Sequence, residues 1–250
     1  MTGILEVRGL HKKFGALQVT QNVHLSLQPG ARHALIGPNG AGKTTLINLI
    51  SGVLKPDHGS IFLGERDVTS MSEANRVKSG LARTFQINQL FRKLTVLENV
   101  ALSISERMGR NHVFWRQAWR NTDVLDEAMA LLKRLGLQDN ALTVIEELAY
   151  GRQRLVEIAI TLGLSPKVLL LDEPAAGVPS SESPIILDAI DSLGDDIAIL
   201  IIEHDMDVVF RFAKRISVLV RGAILTEGTP DEIAANEQVR AVYLGESVDA

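Results

Sequence analysis

The feature that most constrains this sequence is a glycine-rich segment, residues 37–44, which reads GPNGAGKT and matches the pattern G-x-x-x-x-G-K-S/T. It directly follows a short apolar run, residues 34–36, and precedes an amphipathic stretch with Leu46, Leu49 and Ile50 on one face. This context predicts a strand, a loop and a helix. In such a loop the glycines let backbone N–H groups face phosphate oxygens, and the start of the helix attracts anions.

A second apolar run, residues 168–171, ends in two adjacent carboxylates, Asp172 and Glu173. Alone, a strand that ends in Asp-Glu is more often a capped loop than a metal site. Together with the glycine-rich segment it supplies the parts that phosphoryl transfer to water requires, namely a metal, a lysine and a group that orients the nucleophile. We expect Lys43 to reach the outer phosphates and Thr44 and Asp172 to hold Mg²⁺.

The pattern of apolar residues divides the chain into regions of different type. Residues 88–165 have a helical pattern, in which Leu125, Met129, Leu132 and Leu135 are predicted to form one buried stripe. After Pro166 the pattern changes to continuous apolar runs, which are typical of buried parallel strands. Further strands are expected at residues 23–27, 61–68, 197–202 and 216–220, and a capped helix is expected from Thr229 onward.

Composition excludes several classes of protein. The absence of cysteine excludes disulfide scaffolds and thiolate metal sites. No apolar stretch approaches the roughly 20 residues of a membrane-spanning helix, and charged residues near the N-terminus argue against a signal peptide, so we expect a cytoplasmic location. The net charge of -4 does not favour a nucleic-acid partner, although residues 76–154 are basic, with a net charge of +5.

Three more motifs occur in a fixed order along the chain. Gln86 ends the stretch ARTFQ, Gly151 lies within LAYGR at residues 148–152, and His204 lies within IIEHD at residues 201–205. With the glycine-rich segment and the two carboxylates, these motifs make the chain resemble the ATP-binding subunits of ABC transporters over essentially its whole length. Small GTPases and nucleotide kinases share the glycine-rich loop but leave the other motifs unexplained.

The resemblance implies an α/β fold of the P-loop NTPase, ABC type, with a mixed core sheet, an N-terminal antiparallel β layer and an inserted helical subdomain. Residues 1–87 and 166–250 would form the core and residues 88–165 the helical subdomain. The cofactors would be ATP and Mg²⁺. Glu173, His204 and Gln86 would be catalytic, and Thr44, Gln86 and Asp172 would bind the metal. The ATP-binding residues would be Phe14, Gly37, Pro38, Asn39, Gly40, Ala41, Gly42, Lys43, Thr44 and Thr45.

The segment 148–152 would be the family signature, which addresses ATP held by a second ATP-binding subunit through Leu148, Ala149, Tyr150, Gly151 and Arg152. The family usually has LSGGQ there, so Ala149, Tyr150 and Arg152 depart from its pattern. Pro179 also stands where the family generally has Asp or Asn. Whether the second subunit is another copy of this chain or a different ATPase stays open.

Several motifs resemble the branched-chain amino acid importer class, including LAYG, the EPAAG that begins at Glu173, EHDM and the closing VYLGE. The class implies membrane-spanning permease subunits, a periplasmic or extracellular solute-binding protein that acts indirectly, a position on the inner face of the membrane and no nucleic acid. The substrate stays open. The alternative is a soluble ABC ATPase, but such proteins typically have two domains or a long coiled coil.

A basic stretch with Trp115 and Trp119 is expected to pack in the helical subdomain, or to meet a membrane partner.

Overall fold

The computed structural model describes residues 3–84, 90–110, 122–179 and 182–244, and the chain separates into two units. The first unit comprises Met1–Leu81, Lys167–Glu173 and Asp195–Ala250, and the second comprises Ala82–Pro166 and Pro174–Gly194. The division expected from the sequence assigned residues 174–194 to the core. In the structure this segment clusters with the helices instead, because its helix packs against the helix that follows the signature.

The first unit contains an antiparallel sheet of four strands in the order β2-β1-β4-β5. This sheet confirms the expected N-terminal layer. The prediction of one strand over residues 61–68 was wrong, because the chain turns at Gly64 and Glu65 and pairs with itself as a hairpin. The strands are β1 (Leu5–Phe14), β2 (Leu17–Leu27), β4 (His58–Leu63) and β5 (Arg66–Asp67).

The second sheet has the order β10-β9-β3-β8-β7-β6. Strands β9, β3, β8 and β7 are parallel neighbours, as the apolar runs predicted, and β10 pairs antiparallel with β9, so the sheet is mixed. Strand β10 alternates in burial and was not predicted. The strands are β3 (Arg32–Ile36), β6 (Leu81–Arg83), β7 (Val168–Asp172), β8 (Ala198–Ile202), β9 (Arg215–Val220) and β10 (Ala223–Gly228).

Helix α1 (Lys43–Ser51) follows β3 after the glycine-rich segment. Its residues Leu46, Leu49 and Ile50 are fully buried, as predicted, in an apolar cluster that includes side chains of both sheets. Gly52 ends the helix in the left-handed conformation, with its N–H bound to the Asn48 carbonyl. The loop before α1 is therefore anchored at both ends, by a buried strand and by a buried helix.

Arg76, on helix α2 (Glu73–Lys78), is completely buried beneath the end of α1. Its Nη1 donates to the carbonyls of Leu49 and Ile50 at 2.7 and 2.6 Å, and Nη2 donates to that of Thr69 at 2.8 Å. Burial lowers the pKa of Arg76, and the charge of Asp67 opposes this shift. The guanidinium thus satisfies carbonyls that the last turn of α1 leaves open, where a cation is favoured.

Replacing Arg76 by methionine is expected to destabilise the fold by about 3 kcal/mol, since three buried carbonyls lose charge-assisted hydrogen bonds. Arg76→Lys keeps the charge and should recover part of this loss. Urea unfolding of the three proteins measures the effect. A methionine variant as stable as the wild type would show that these hydrogen bonds contribute nothing net.

The second unit is built from helices α3 (Val96–Arg107), α4 (Thr122–Arg134), α5 (Tyr150–Gly163) and α6 (Ser183–Asp191). Helix α3 starts with a capping box of Thr95 and Glu98 and packs against α4 and α5. The predicted stripe on α4 was partly wrong. Leu132 is buried, but Val124 and Ala128 face the interior in place of Leu125 and Met129, so the contact face is rotated and Met129 is exposed.

The chain closes with helices α7 (Met206–Phe212), α8 (Pro230–Ala235) and α9 (Glu237–Leu244). The predicted start of α8 is confirmed: Thr229 is the N-cap, Pro230 opens the helix and Glu232 completes a capping box. Within the described ranges, every helix is too short or too polar to cross a lipid bilayer.

A chain of polar side chains links three adjacent strands of the second sheet, and its first two members, His33 and Ser217, are buried. His33 on β3 lies 2.8 Å from the Ser217 hydroxyl through Nε2, Ser217 donates to Glu227 at 3.0 Å, and Arg215 pairs with Glu227 at 2.8 Å. Burial lowers the pKa of His33 to about 4, opposed by Glu227 and reinforced by Arg215. The folded protein therefore holds His33 neutral at pH 7.

Because the pKa of His33 is lower in the folded than in the unfolded chain, its contribution to stability is complete above about pH 6.5 and is lost as the pH falls toward 4. The expected loss is about 3 kcal/mol. Urea unfolding between pH 7 and pH 4.5 measures it, with His33→Gln as the variant that cannot titrate. An identical pH dependence in wild type and variant would contradict this assignment.

Candidate nucleotide-binding and catalytic site

The glycine-rich segment 37–44 forms the loop between β3 and α1. Gly42 is the N-cap of α1 and has φ +101°, a conformation that favours glycine. A Cβ added there would lie 2.7 Å from the Val19 carbonyl oxygen of β2, so the close approach of β2 also requires glycine. The first N–H groups of α1 have no partner inside the helix, and they are suited to bind phosphate oxygens.

Lys43 folds back over this loop. Its Nζ donates to the carbonyls of Gly37 at 2.5 Å and of Pro38 at 3.1 Å. The ammonium is thereby held over the loop, while Thr44 is exposed on the first turn of α1 and Thr45 is partly buried. The arrangement places a positive charge and a hydroxyl next to the helix start, as binding of a phosphate chain with a cation requires.

The two carboxylates follow at the end of β7. Asp172 is only 5% exposed, whereas Glu173 is half-buried and has φ +47°. The N–H of Glu173 donates to the Ile202 carbonyl at 2.9 Å, which ties this turn to β8. Since β3, β8 and β7 are parallel neighbours, the loop, the carboxylates and the residues after β8 emerge at the same edge of the sheet.

His204 follows β8 at this edge and is exposed. Its Nδ1 lies 3.5 Å from Oε1 of Glu173 and 3.9 Å from Oε2 of Glu203. The structure thus brings together the predicted catalytic pair, Glu173 and His204. The sequence pattern did not identify Glu203; the available signal was a carboxylate that directly follows five strand residues, all of them buried.

Phe14 lies at the end of β1 and is 47% exposed, so it is not a core residue. Lys12 Nζ is 5.7 Å from the centre of its ring. The cross-strand partner of Phe14 is Leu17. Two residues further along the same strand, Val19 lies next to Gly42 of the phosphate loop. An accessible aromatic ring next to a phosphate loop is suited to stacking on a base.

In the second unit, the segment 148–152 opens helix α5. Ala149 is the N-cap and forms no side-chain cap, so the first N–H groups of α5 are left for other acceptors. A Cβ on Gly151 would lie 2.4 Å from Oε2 of Glu182, so a larger residue there would require that side chain to move. Arg152, the departure from the family pattern, donates to the Asn140 side chain at 2.7 Å.

Helix α5 is anchored by an apolar face, Leu155, Ile158, Ala159 and Leu162, all of which are buried. It also buries an ion pair that was not predicted. Arg154 donates to Glu157 at 2.7 Å, and its guanidinium lies 5.4 Å from the centre of the Tyr150 ring. Burial raises the pKa of Glu157, and Arg154 opposes the shift. These contacts hold Tyr150 at the start of α5.

Some predicted residues lie outside the described residues. They are Gln86, expected to bind the metal and to be catalytic, and the basic stretch around Trp115 and Trp119. The residues that the structure does describe suit Mg²⁺, since Asp172 supplies a carboxylate and Thr44 a hydroxyl. Mg²⁺ prefers oxygen ligands and is usually held by one or two carboxylates together with substrate phosphates.

Comparison with known families and proteins agrees with this geometry. Residues 20–176 match the family model of the ABC transporter domain, and residues 223–249 match that of the branched-chain amino acid ATP-binding cassette transporter. The chain is 39% identical to the high-affinity branched-chain amino acid transport ATP-binding protein LivG of Salmonella typhimurium, over 98% of both proteins. It is 35% identical to BraF of Pseudomonas aeruginosa, a protein of the same description, again over 98% of both.

The fold also matches solved structures. An ATP-binding cassette of an ABC transporter, crystallised in its ADP conformation, superimposes with a TM-score of 0.86 at 31% identity, covering 98% of this chain and all of that one. Family models, relatives and fold thus indicate one and the same family. The chain belongs to the family of ABC transporter ATP-binding proteins and is an ATPase.

Proposed function

We propose that this chain is the ATP-hydrolysing subunit of an importer for branched-chain amino acids or related small polar solutes. The observation that carries the proposal is the edge of the second sheet, where a phosphate loop, the Asp172–Glu173 pair and His204 converge, in a chain with 39% identity to a branched-chain amino acid transport protein. ATP binding and hydrolysis would move permease subunits, which cross the membrane.

The phosphate loop and Phe14 would bind ATP. N–H groups at the start of α1 would hold the phosphates, Lys43 would turn from the Gly37 and Pro38 carbonyls to the outer phosphates, and Phe14 would stack on adenine. Mg²⁺, when bound, neutralises charge on the phosphate oxygens. Thr44, Asp172 and Gln86 would hold it.

Glu173 would act as the general base that takes a proton from the attacking water. It is half-buried and lies 3.5 Å from His204, which would orient it and contact the terminal phosphate. The fixed backbone at Glu173, bound to the Ile202 carbonyl, would hold the carboxylate in place before ATP arrives.

One chain would supply only half of each active site. The start of α5 at residues 148–152 would address ATP held by a second ATP-binding subunit, through free N–H groups around Gly151. A cavity of about 630 Å³ lies beside the phosphate loop and is lined by Asn39, Gly40, Arg221 and Val242, among others. Either a homodimer or a pair with a different ATPase would satisfy this geometry.

The solute would be recognised by an associated solute-binding protein and by the permease. The chain would lie on the inner face of the membrane, held there by the permease subunits.

The Pro179 carbonyl accepts hydrogen bonds from the N–H groups of Glu182 and Ser183, so this departure from the family pattern lies directly before α6.

Affinity capture from detergent-solubilised native membranes, in the presence of ATP, tests the proposal, with the companions identified by mass spectrometry. We expect to recover polytopic permease subunits, together with either one or two kinds of ATP-binding subunit. A matched capture with the Lys43→Met chain shows whether assembly requires ATP. Recovery of soluble companions alone would support the alternative of a non-transport ABC ATPase and overturn the importer.

A further inference from the structure

Glu203 is a buried carboxylate that the functions proposed above do not use. It is 2% exposed, and its Oε2 accepts a hydrogen bond from the N–H of His204 at 3.2 Å. Burying a carboxyl group costs free energy, and glutamate is rarely found fully buried. Its presence directly before the exposed His204 therefore calls for a reason.

The pairing of two strands explains where this carboxylate stands. Asp172 on β7 is paired with Ile202 on β8, so the residues that follow them, Glu173 and Glu203, leave the sheet side by side. His204 comes next, and its Nδ1 is near both carboxylates, 3.5 Å from Glu173 and 3.9 Å from Glu203. Both carboxyl groups thus lie near the same ring nitrogen.

We propose that Glu203 is a positioning residue that keeps the ring proton of His204 on Nδ1. A neutral imidazole carries one N–H and one acceptor nitrogen, and neighbouring groups decide which is which. Two carboxylates near Nδ1 favour the proton there. Glu203 is buried, so its interaction with the ring is less screened by water than that of the partly exposed Glu173.

The position of this proton matters for the catalytic base, and in this step the inference rests on the proposed function. With its proton on Nδ1, His204 donates toward Oε1 of Glu173 and orients that carboxylate, whose other oxygen is left to take a proton from water. With the proton on Nε2, the nitrogen that faces Glu173 would be an acceptor, and a lone pair would oppose a carboxylate. Glu203 thus acts on hydrolysis through His204, without touching the substrate.

Nitrogen-15 NMR of the full-length chain tests the position of the proton, without nucleotide and at a pH at which histidine is neutral. The chain has six histidines, so the His204 signals are assigned as those lost in His204→Gln. We expect Nδ1–H to dominate in the wild type and the tautomer ratio to shift at least threefold toward Nε2–H in Glu203→Gln. An unchanged ratio would overturn the proposal.

Two further variants and a rate measurement complete the test. Asp205→Asn removes the carboxylate on the other side of His204 while keeping an N-cap for α7, and it should leave the tautomer unchanged. Glu203→Asp keeps the charge and should preserve the Nδ1–H preference; loss of that preference in this variant would count against the proposal. Glu203→Asp also allows the tautomer to be tested if Glu203→Gln does not fold.

For Glu203→Gln we expect ATP hydrolysis to fall about tenfold in kcat with KM unchanged, less than the roughly 10²- to 10⁴-fold that removal of a general base costs. A shifted tautomer with an unchanged kcat would overturn the positioning role. If the wild-type chain, assembled with its partner ATP-binding subunit, does not hydrolyse ATP, the proposed function is refuted, and the NMR result still decides where the proton lies.

Discussion

Replacing Glu173 by glutamine is expected to lower kcat for ATP hydrolysis by about 10³-fold, within the range that general bases contribute. The amide has the shape of the carboxylate but cannot take a proton from water. ATP affinity should stay near that of the wild type, because the phosphate loop and Lys43 are untouched. Steady-state phosphate release measures kcat, and a fluorescent ATP analogue measures binding.

Glu65→Gln provides a matched control, since Glu65 is exposed on the turn between β4 and β5 and should leave both measurements unchanged. The Glu173 variant should also remain as closed dimers with bound ATP, because hydrolysis no longer removes the nucleotide that holds the dimer closed. Normal turnover in Glu173→Gln would show that another group is the base. A loss of ATP binding would show that Glu173 holds the nucleotide.

Replacing Lys43 by methionine is expected to weaken ATP binding by about 10²-fold, which corresponds to the loss of about 3 kcal/mol in charge-assisted hydrogen bonds to the phosphates. Methionine keeps the length of the side chain, and the carbonyls of Gly37 and Pro38 that Lys43 contacts are freed. Titration with the fluorescent analogue measures the affinity, and hydrolysis should be lost in parallel.

Lys55→Met is the control, because Lys55 is exposed and lies beyond the end of α1. It removes the same charge from the protein as a whole and should bind ATP as the wild type does. Equal affinity in the Lys43 variant would contradict the role given to the loop. Equal weakening in both variants would mean that net charge, and not the position of Lys43, governs binding.

The parts of this molecule that could be predicted from the sequence are those in which local pattern and function coincide. The loop at residues 37–44 needs glycine for its backbone, and the run that ends in Asp172 is buried on both faces, so each leaves a strong local pattern. The same holds for the start of α8, where cap, proline and acidic residue all indicate a helix.

What could not be predicted depends on contacts distant in sequence. Leu125 and Met129 fit an apolar stripe as well as Val124 and Ala128 do, and only packing against other helices decides which pair faces the interior. Burial of Arg76 depends on where α1 ends, and the role of Glu203 depends on the pairing of β8 with β7. Segment 174–194 follows the catalytic strand in sequence, but it clusters with the second unit.

The central claim, that hydrolysis by this chain powers solute import, is tested most directly by uptake in cells that carry Glu173→Gln in place of the native residue. Initial rates are measured for labelled branched-chain amino acids, with amides, urea and aromatic acids alongside, and immunoblotting confirms equal amounts of protein. We predict that uptake of one of these solutes falls to the level of a deletion strain while the others continue. Uptake of every solute at the wild-type rate, with the variant present at the wild-type level, would contradict the account.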